Sequence, residues 1–154
     1  MGKLSDKIRE KESIRQIHAQ YEYDKNIPEK GFYIQGKPAL TQIDTSQVGE
    51  FVLICVRDAL CSYDQDPAKV IAGRMEHARM IGQSGMYLSY SGYYKGAHIT
   101  VVSGGSGAPE MEMILYDYME HTDAHTFLRV GGSGGFGDEV NPGDVVISSG
   151  AVRA

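Results

Sequence analysis

Apolar and polar residues alternate along this chain in short blocks whose period changes from one block to the next. Between Ser5 and Tyr23 most positions are polar, while Ile14, Ile17 and Tyr21 recur at i, i+3 and i+7. That spacing predicts a short amphipathic helix, packed on the domain or on a partner subunit. From Asn26 to Gly49, prolines, glycines and weak periodicity predict a long connection. Phe51-Val-Leu-Ile-Cys-Val56 is a continuous run of β-forming residues, which predicts a strand covered on both faces, as in a parallel or mixed sheet. Asp66-Pro67 supplies a helix N-cap and a proline for the first helical position, with Val70, Ile71, Arg74 and Ala78 continuing the helix. Met86 to Tyr90 and His98 to Ser103 predict strands joined by a turn around Gly92 to Gly96. A glycine turn, Ser103 to Ala108, leads into a helix opened by Pro109, with Met111, Ile114, Leu115 and Tyr118 on one face. Thr126 to Val130 predicts a strand that ends in the glycine run 131–137. Asn141-Pro-Gly143 predicts a turn, and Asp144 to Ser149 a last strand. The alternation is that of an α/β protein.

Composition narrows the function classes. The chain has 154 residues, 42% of them hydrophobic, a size that suits one domain. No apolar run approaches the roughly 20 residues of a membrane span, and the charged start, Met1-Gly-Lys-Leu-Ser-Asp, does not resemble a signal peptide. Cys55 and Cys61 fit neither a disulfide framework nor a zinc pair, so two reduced thiols in a cytoplasmic protein are expected. Residues 80–154 hold 3 basic and 8 acidic side chains and 14 of the 19 glycines. So acidic a stretch excludes a nucleic-acid surface, which needs clustered Lys and Arg. Its few basic residues become conspicuous.

Several short motifs reduce to ordinary structure. Gly132-x-Gly134-x-x-Gly137 matches a dinucleotide fingerprint, yet the acidic turn Asp138 to Gly143 follows where a helix is required. Gly131-x-Ser133-x-Gly135 matches a nucleophile elbow and fails the same test. His121-x-Asp123-x-His125 sits where a helix runs into a strand, so its side chains read as solvated connection residues and not as metal ligands. A half-buried hairpin accounts for Tyr87, Tyr90, Tyr93 and Tyr94. Two features resist reduction. Ser103 to Pro109 aims backbone N–H groups and a helix dipole at one spot, an anion-site geometry. Arg129 lies inside an apolar strand, where a charge needs a partner. Either an acidic neighbour pairs with it, or its planar fork grips an anionic ligand at the strand's C-terminal end.

The order of three motifs resembles the nucleoside phosphorylases, the uridine and bacterial-type purine enzymes above all. They are Ile99-Thr-Val-Val-Ser-Gly-Gly-Ser-Gly-Ala-Pro109, then Thr126-Phe-Leu-Arg-Val-Gly-Gly-Ser-Gly-Gly135, then Val140-Asn-Pro-Gly-Asp-Val-Val-Ile147. The likeness runs from about Val48 to Arg153, which divides the chain into an N-terminal helix and connection (1–47) and the N-terminal part of a phosphorylase-like domain (48–154). It implies a three-layer α/β/α sandwich with a twisted mixed sheet, assembled as dimers or rings of dimers. It also implies phosphorolysis of a uridine or purine nucleoside to free base and ribose 1-phosphate, with phosphate as co-substrate and no cofactor or metal. By the same resemblance Arg129, Gly132 and Lys69 contact phosphate, and Ser133, Gly134 and Gly105 contact the nucleoside.

The chain also departs from the family. The first strand of the family ends in a Pro-Gly-Asp-Pro turn whose glycine N–H binds phosphate. Here the strand runs into Arg57-Asp58, and Asp66-Pro67-Ala68-Lys69 resembles the end of that motif, with lysine where arginine is usual. The arginine lent by a neighbouring subunit falls near Ser84 or Gly85, and the ribose-touching histidine near Leu40. The family continues well past Ala154, so the chain is expected to be an N-terminal fragment. Alternative readings are an inactive paralogue serving as a regulatory or scaffold subunit, alone or in a hetero-oligomer with an active one, and a nucleosidase that uses water.

Overall fold

The computed structural model describes residues 31–57, 65–85 and 87–151. The helix expected at Ser5–Tyr23 and the thiol of Cys61 lie outside them. The expected long connection holds a small hairpin, β1 (Tyr33–Ile34) against β2 (Lys37–Pro38), then a 3-10 turn at Thr45–Gln47. Strands of two residues are too short to show a period of two, so the pattern passes over them.

The apolar run forms β3 (Phe51–Val56), as expected. Asp66 caps α1 (Pro67–Ala72), its carboxylate accepting from the Ala68 and Lys69 N–H groups. The helix stops at Ala72, earlier than Arg74 and Ala78 would place its end, because Gly73 closes it and the chain turns. Ala78 instead belongs to β4 (Glu76–Gln83), a strand the pattern does not show because only Ile81 and Gly82 in it are buried. β5 (Leu88–Tyr94) runs through Gly92, where the two strands approach so closely that a Cβ would lie 2.9 Å from the Glu76 carbonyl oxygen. The turn falls at Lys95-Gly96, both at positive φ (50° and 83°), and leads into β6 (Ala97–Gly104). α2 (Ala108–His121) and β7 (Thr126–Val130) follow.

The five-stranded sheet has the order β4-β5-β6-β3-β7. β3 is parallel to β6 and β7, and β4, β5 and β6 form an antiparallel meander. Alternate residues of the strands feed two cores. On one face Val52, Ile54 and Val102 pack with Tyr87, Ile43 and the Ile114 and Tyr118 side chains of α2. On the other, Cys55 and Val101 pack with Ala68, Ala72 and Met75 at α1. Each large apolar side chain so buried contributes roughly 1.5–3 kcal/mol before entropy is counted. The result is the expected three layers, a mixed sheet between helices.

The expected strand Asp144–Ser149 does not form. Val145, Val146 and Ile147 are 90%, 66% and 89% exposed, and no strand among the described residues pairs with them. A strand needs a ladder partner, and sequence propensity cannot supply one. The turn before it does form, with the Asp144 N–H donating to the Asn141 carbonyl.

Candidate functional site

The three parallel strands end side by side. In the register, Val56 of β3 lies beside Gly104 of β6, and Cys55 lies between Ser103 and Val130. The turns that leave β6 and β7, and residue Arg57 after β3, therefore share one sheet edge, the C-terminal edge at which α/β proteins bind ligands.

The β6 turn is shaped by packing. Gly104 and Gly105 have φ of 142° and 67°, and a Cβ on Gly104 would lie 2.6 Å from the buried Tyr87 ring. The turn redirects the chain into α2, whose Gly107 cap offers no side-chain acceptor. Part of the expected anion-site geometry is filled from within. The Ser106 backbone N–H and hydroxyl both donate to Glu110, at 3.0 and 2.9 Å. Those bonds hold the Glu110 carboxyl below its ordinary range, with Arg57 adding a favourable charge.

Arg129 is where the structure corrects the sequence most sharply. β7 is an edge strand among the described residues, so Arg129 is exposed and not buried in an apolar sheet. Hydration removes the need for a counter-ion, and among the described residues Arg129 has no salt bridge. Its Nη2 donates to the Gly105 carbonyl at 3.4 Å, which ties the end of β7 to the β6 turn. Arg129 shares a face with Phe127 and forms one wall of a groove of about 680 Å³ along α2.

A polar clamp stands on the neighbouring strands. Asp66, fully buried, accepts from the Ser103 hydroxyl at 2.8 Å and from the Ala68 N–H at 2.9 Å. The Arg57 Nε lies 3.7 Å from the same carboxylate. One side chain thus joins the end of β3, the end of β6 and the start of α1. From the sequence, Asp66 reads as a helix cap and as the end of a motif resembling the family's phosphate turn, and Arg57 does not stand out as part of the site. The signal was available: an arginine directly after a buried parallel strand, with a buried-helix cap downstream. Cys55, beside this clamp, is a free, buried thiol whose pKa burial pushes up to about 11, with the Asp66 charge adding to the rise.

The other expected contacts are distributed as follows. Gly105 and Arg129 are brought together. Gly131 packs against β3, where a Cβ would fall 2.5 Å from Val56 Cγ2, whereas Gly132 and Gly134 have open space around them. Ser133 donates to the Gly134 carbonyl. Lys69 is exposed on α1, whose layer is opposite that of Arg129, and its helix begins two strand spacings from β7, roughly 10 Å away. Among the described residues no helix follows the 131–137 run, so neither the dinucleotide nor the elbow context is present there. His121 bonds to the Tyr33 hydroxyl at 2.7 Å while His125 faces Glu50 at 3.9 Å, so the two rings serve different partners. The four tyrosines divide between both sheet faces, Tyr87 in one core and Tyr90 in the other, as strand alternation requires. Among the described residues no helix is long and apolar enough to cross a membrane.

The fold has counterparts among known proteins. The family model described as the Phosphorylase superfamily matches residues 74–154. A uridine phosphorylase of Treponema pallidum is 32% identical over 113 residues, 72% of this chain and 40% of that protein. A DeoD-type purine nucleoside phosphorylase of Mycoplasma pneumoniae is 32% identical over 83 residues, 53% of this chain and 35% of the relative. Among solved structures, uridine phosphorylase from Vibrio fischeri superposes with a TM-score of 0.52 at 28% identity, covering 60% of this chain and 35% of the other. A uridine phosphorylase from Phytophthora capsici gives a TM-score of 0.62 at 22% identity over 74% of this chain and 37% of the other, a likeness of fold alone. The chain thus spans about two fifths or less of the length of these proteins.

Proposed function

The chain belongs to the phosphorylase superfamily, and from that premise we propose that it carries the phosphate side of a nucleoside phosphorylase site. Residues 48–154 would supply the N-terminal part of such a domain. In this reading phosphate is the co-substrate and no other cofactor takes part. A phosphate oxygen attacks the anomeric carbon of the nucleoside, the carbon–nitrogen bond breaks, and the base leaves with the bonding electrons. Arg129 holds the phosphate dianion, whose charge also stabilises the oxocarbenium character of the transition state. Gly132 completes the phosphate contacts, and Gly105, Ser133 and Gly134 line the nucleoside side; Lys69, on the opposite face of the sheet, takes no part in this pocket. A cytoplasmic homodimer or ring of dimers fits this reading.

The observation that supports it best is Arg129 itself, an exposed guanidinium between two glycine turns with only the Gly105 carbonyl as protein partner among the described residues. The test is base release from uridine or inosine by the intact protein. The proposal expects release only when phosphate is present; equal release without phosphate contradicts it.

A second reading has its own observation. By resemblance to the family, Arg57 takes the place of the glycine whose N–H meets phosphate, and its Nε lies 3.7 Å from Asp66. That favours a non-catalytic paralogue, which would bind phosphate or assemble without turning over either nucleoside.

A further inference from the structure

The peptide between Gly105 and Ser106 is held at its two ends by opposite charges. Its carbonyl accepts from Arg129 Nη2 at 3.4 Å, and its N–H donates to the Glu110 carboxylate at 3.0 Å. Both bonds belong to one planar peptide group, so no more than about 9 Å separates Arg129 Nη2 from the bonded Glu110 oxygen. We propose that Glu110 is a tethered competitor whose charge weakens phosphate binding at Arg129. The proposal rests on Arg129 being the phosphate contact of this edge.

Three observations carry it. The first is occupancy. The anion in the β6 turn belongs to the chain itself, because the Ser106 hydroxyl also donates to Glu110, at 2.9 Å. Donors that could meet a phosphate oxygen are thereby committed. The second is charge. The Ser106 N–H and hydroxyl, and after them the Gly105 N–H, hold the Glu110 carboxyl below its ordinary range, so it is ionised at neutral pH. Glu110 is half-buried, so solvent screens it incompletely, and a phosphate dianion on Arg129 meets its repulsion twice over. The third is the balance of charges at this edge. Arg57 favours the ionised Glu110, yet its Nε also lies 3.7 Å from the buried Asp66, so one cation serves two carboxylates. Arg57 and Arg129 against Asp66 and Glu110 have no net formal charge before a ligand arrives, a poor balance for holding a dianion tightly. Glu110 thus sets how readily phosphate binds and leaves.

The test titrates inorganic phosphate into the intact protein and its Glu110→Gln and Arg129→Ala variants by calorimetry. The glutamine carbonyl can still accept from Ser106, so Glu110→Gln removes the charge while keeping an acceptor for the turn. At low ionic strength it should bind phosphate roughly fivefold more tightly than the parent, and the gain should shrink in concentrated NaCl. A carboxylate that only capped the turn would give the opposite result, since a loosened turn does not tighten a ligand. Weaker binding in Arg129→Ala together with unchanged or weaker binding in Glu110→Gln would overturn the role of Glu110 and leave that of Arg129 standing. Unchanged binding in Arg129→Ala, or no phosphate binding by any of the three proteins, would overturn both.

Discussion

Two glycine-rich turns leave adjacent parallel strands of this sheet, and they are glycine-rich for different reasons. After β6, Gly104 and Gly105 sit at positive φ with Tyr87, Ile114 and Met111 pressed against the places a Cβ would take. The turn is buried, and its glycines let a strand enter a helix beneath a packed core. After β7, Gly131 is confined against Val56, Gly135 against Val140 and Gly137 against Glu139, but Gly132 and Gly134 meet nothing within 4 Å, and the whole run is exposed. One turn needs its glycines for the fold. The other keeps two, Gly132 and Gly134, where the fold imposes no demand, close in sequence to Arg129. Glycines of the second kind are the ones that suit a close-fitting ligand.

Substitutions can break this contrast. Asp66→Ala should have the largest effect, roughly 3 kcal/mol of stability, because it removes a helix cap and strips the Ser103 hydroxyl and Arg57 of their buried partner. Urea unfolding would read it, and a loss below about 0.5 kcal/mol would mean that the clamp contributes little. Gly104→Ala should cost roughly 2–3 kcal/mol through backbone strain and collision with the Tyr87 ring. Gly132→Ala should leave the unfolding midpoint nearly unchanged, within about 0.5 kcal/mol, while weakening phosphate binding. A Gly132→Ala chain as destabilised as Gly104→Ala would erase the distinction between the two turns.

What the sequence reveals follows the same division. Where a residue's role depends on its neighbours in the chain, the pattern is legible. Phe51–Val56, the Asp66-Pro67 helix start and the buried face of α2 appear where the spacing predicts them. Where the role depends on a partner far along the chain, it is not. β4 is an edge strand with a mostly exposed sequence, so it lacks the alternation that marks a half-buried strand. Arg129 reads as buried because its neighbours are apolar, but exposure is set by the absence of an outer strand among the described residues. The same gap leaves Val145–Ile147 unpaired. In the candidate site, the Arg129 to Gly105 contact joins residues 24 apart and the Ser103 to Asp66 bond residues 37 apart, so neither is visible in local spacing.

We propose Arg129 as an anion-binding side chain and not a structural one. Titration of phosphate into the chain by calorimetry, beside Arg129→Ala and Arg129→Lys, tests it most directly. The account predicts that Arg129→Ala weakens phosphate binding by roughly 10- to 100-fold and leaves the urea midpoint unmoved. Arg129→Lys should fall between, since lysine keeps the charge and loses the fork. Phosphate affinity unchanged in Arg129→Ala would contradict the account.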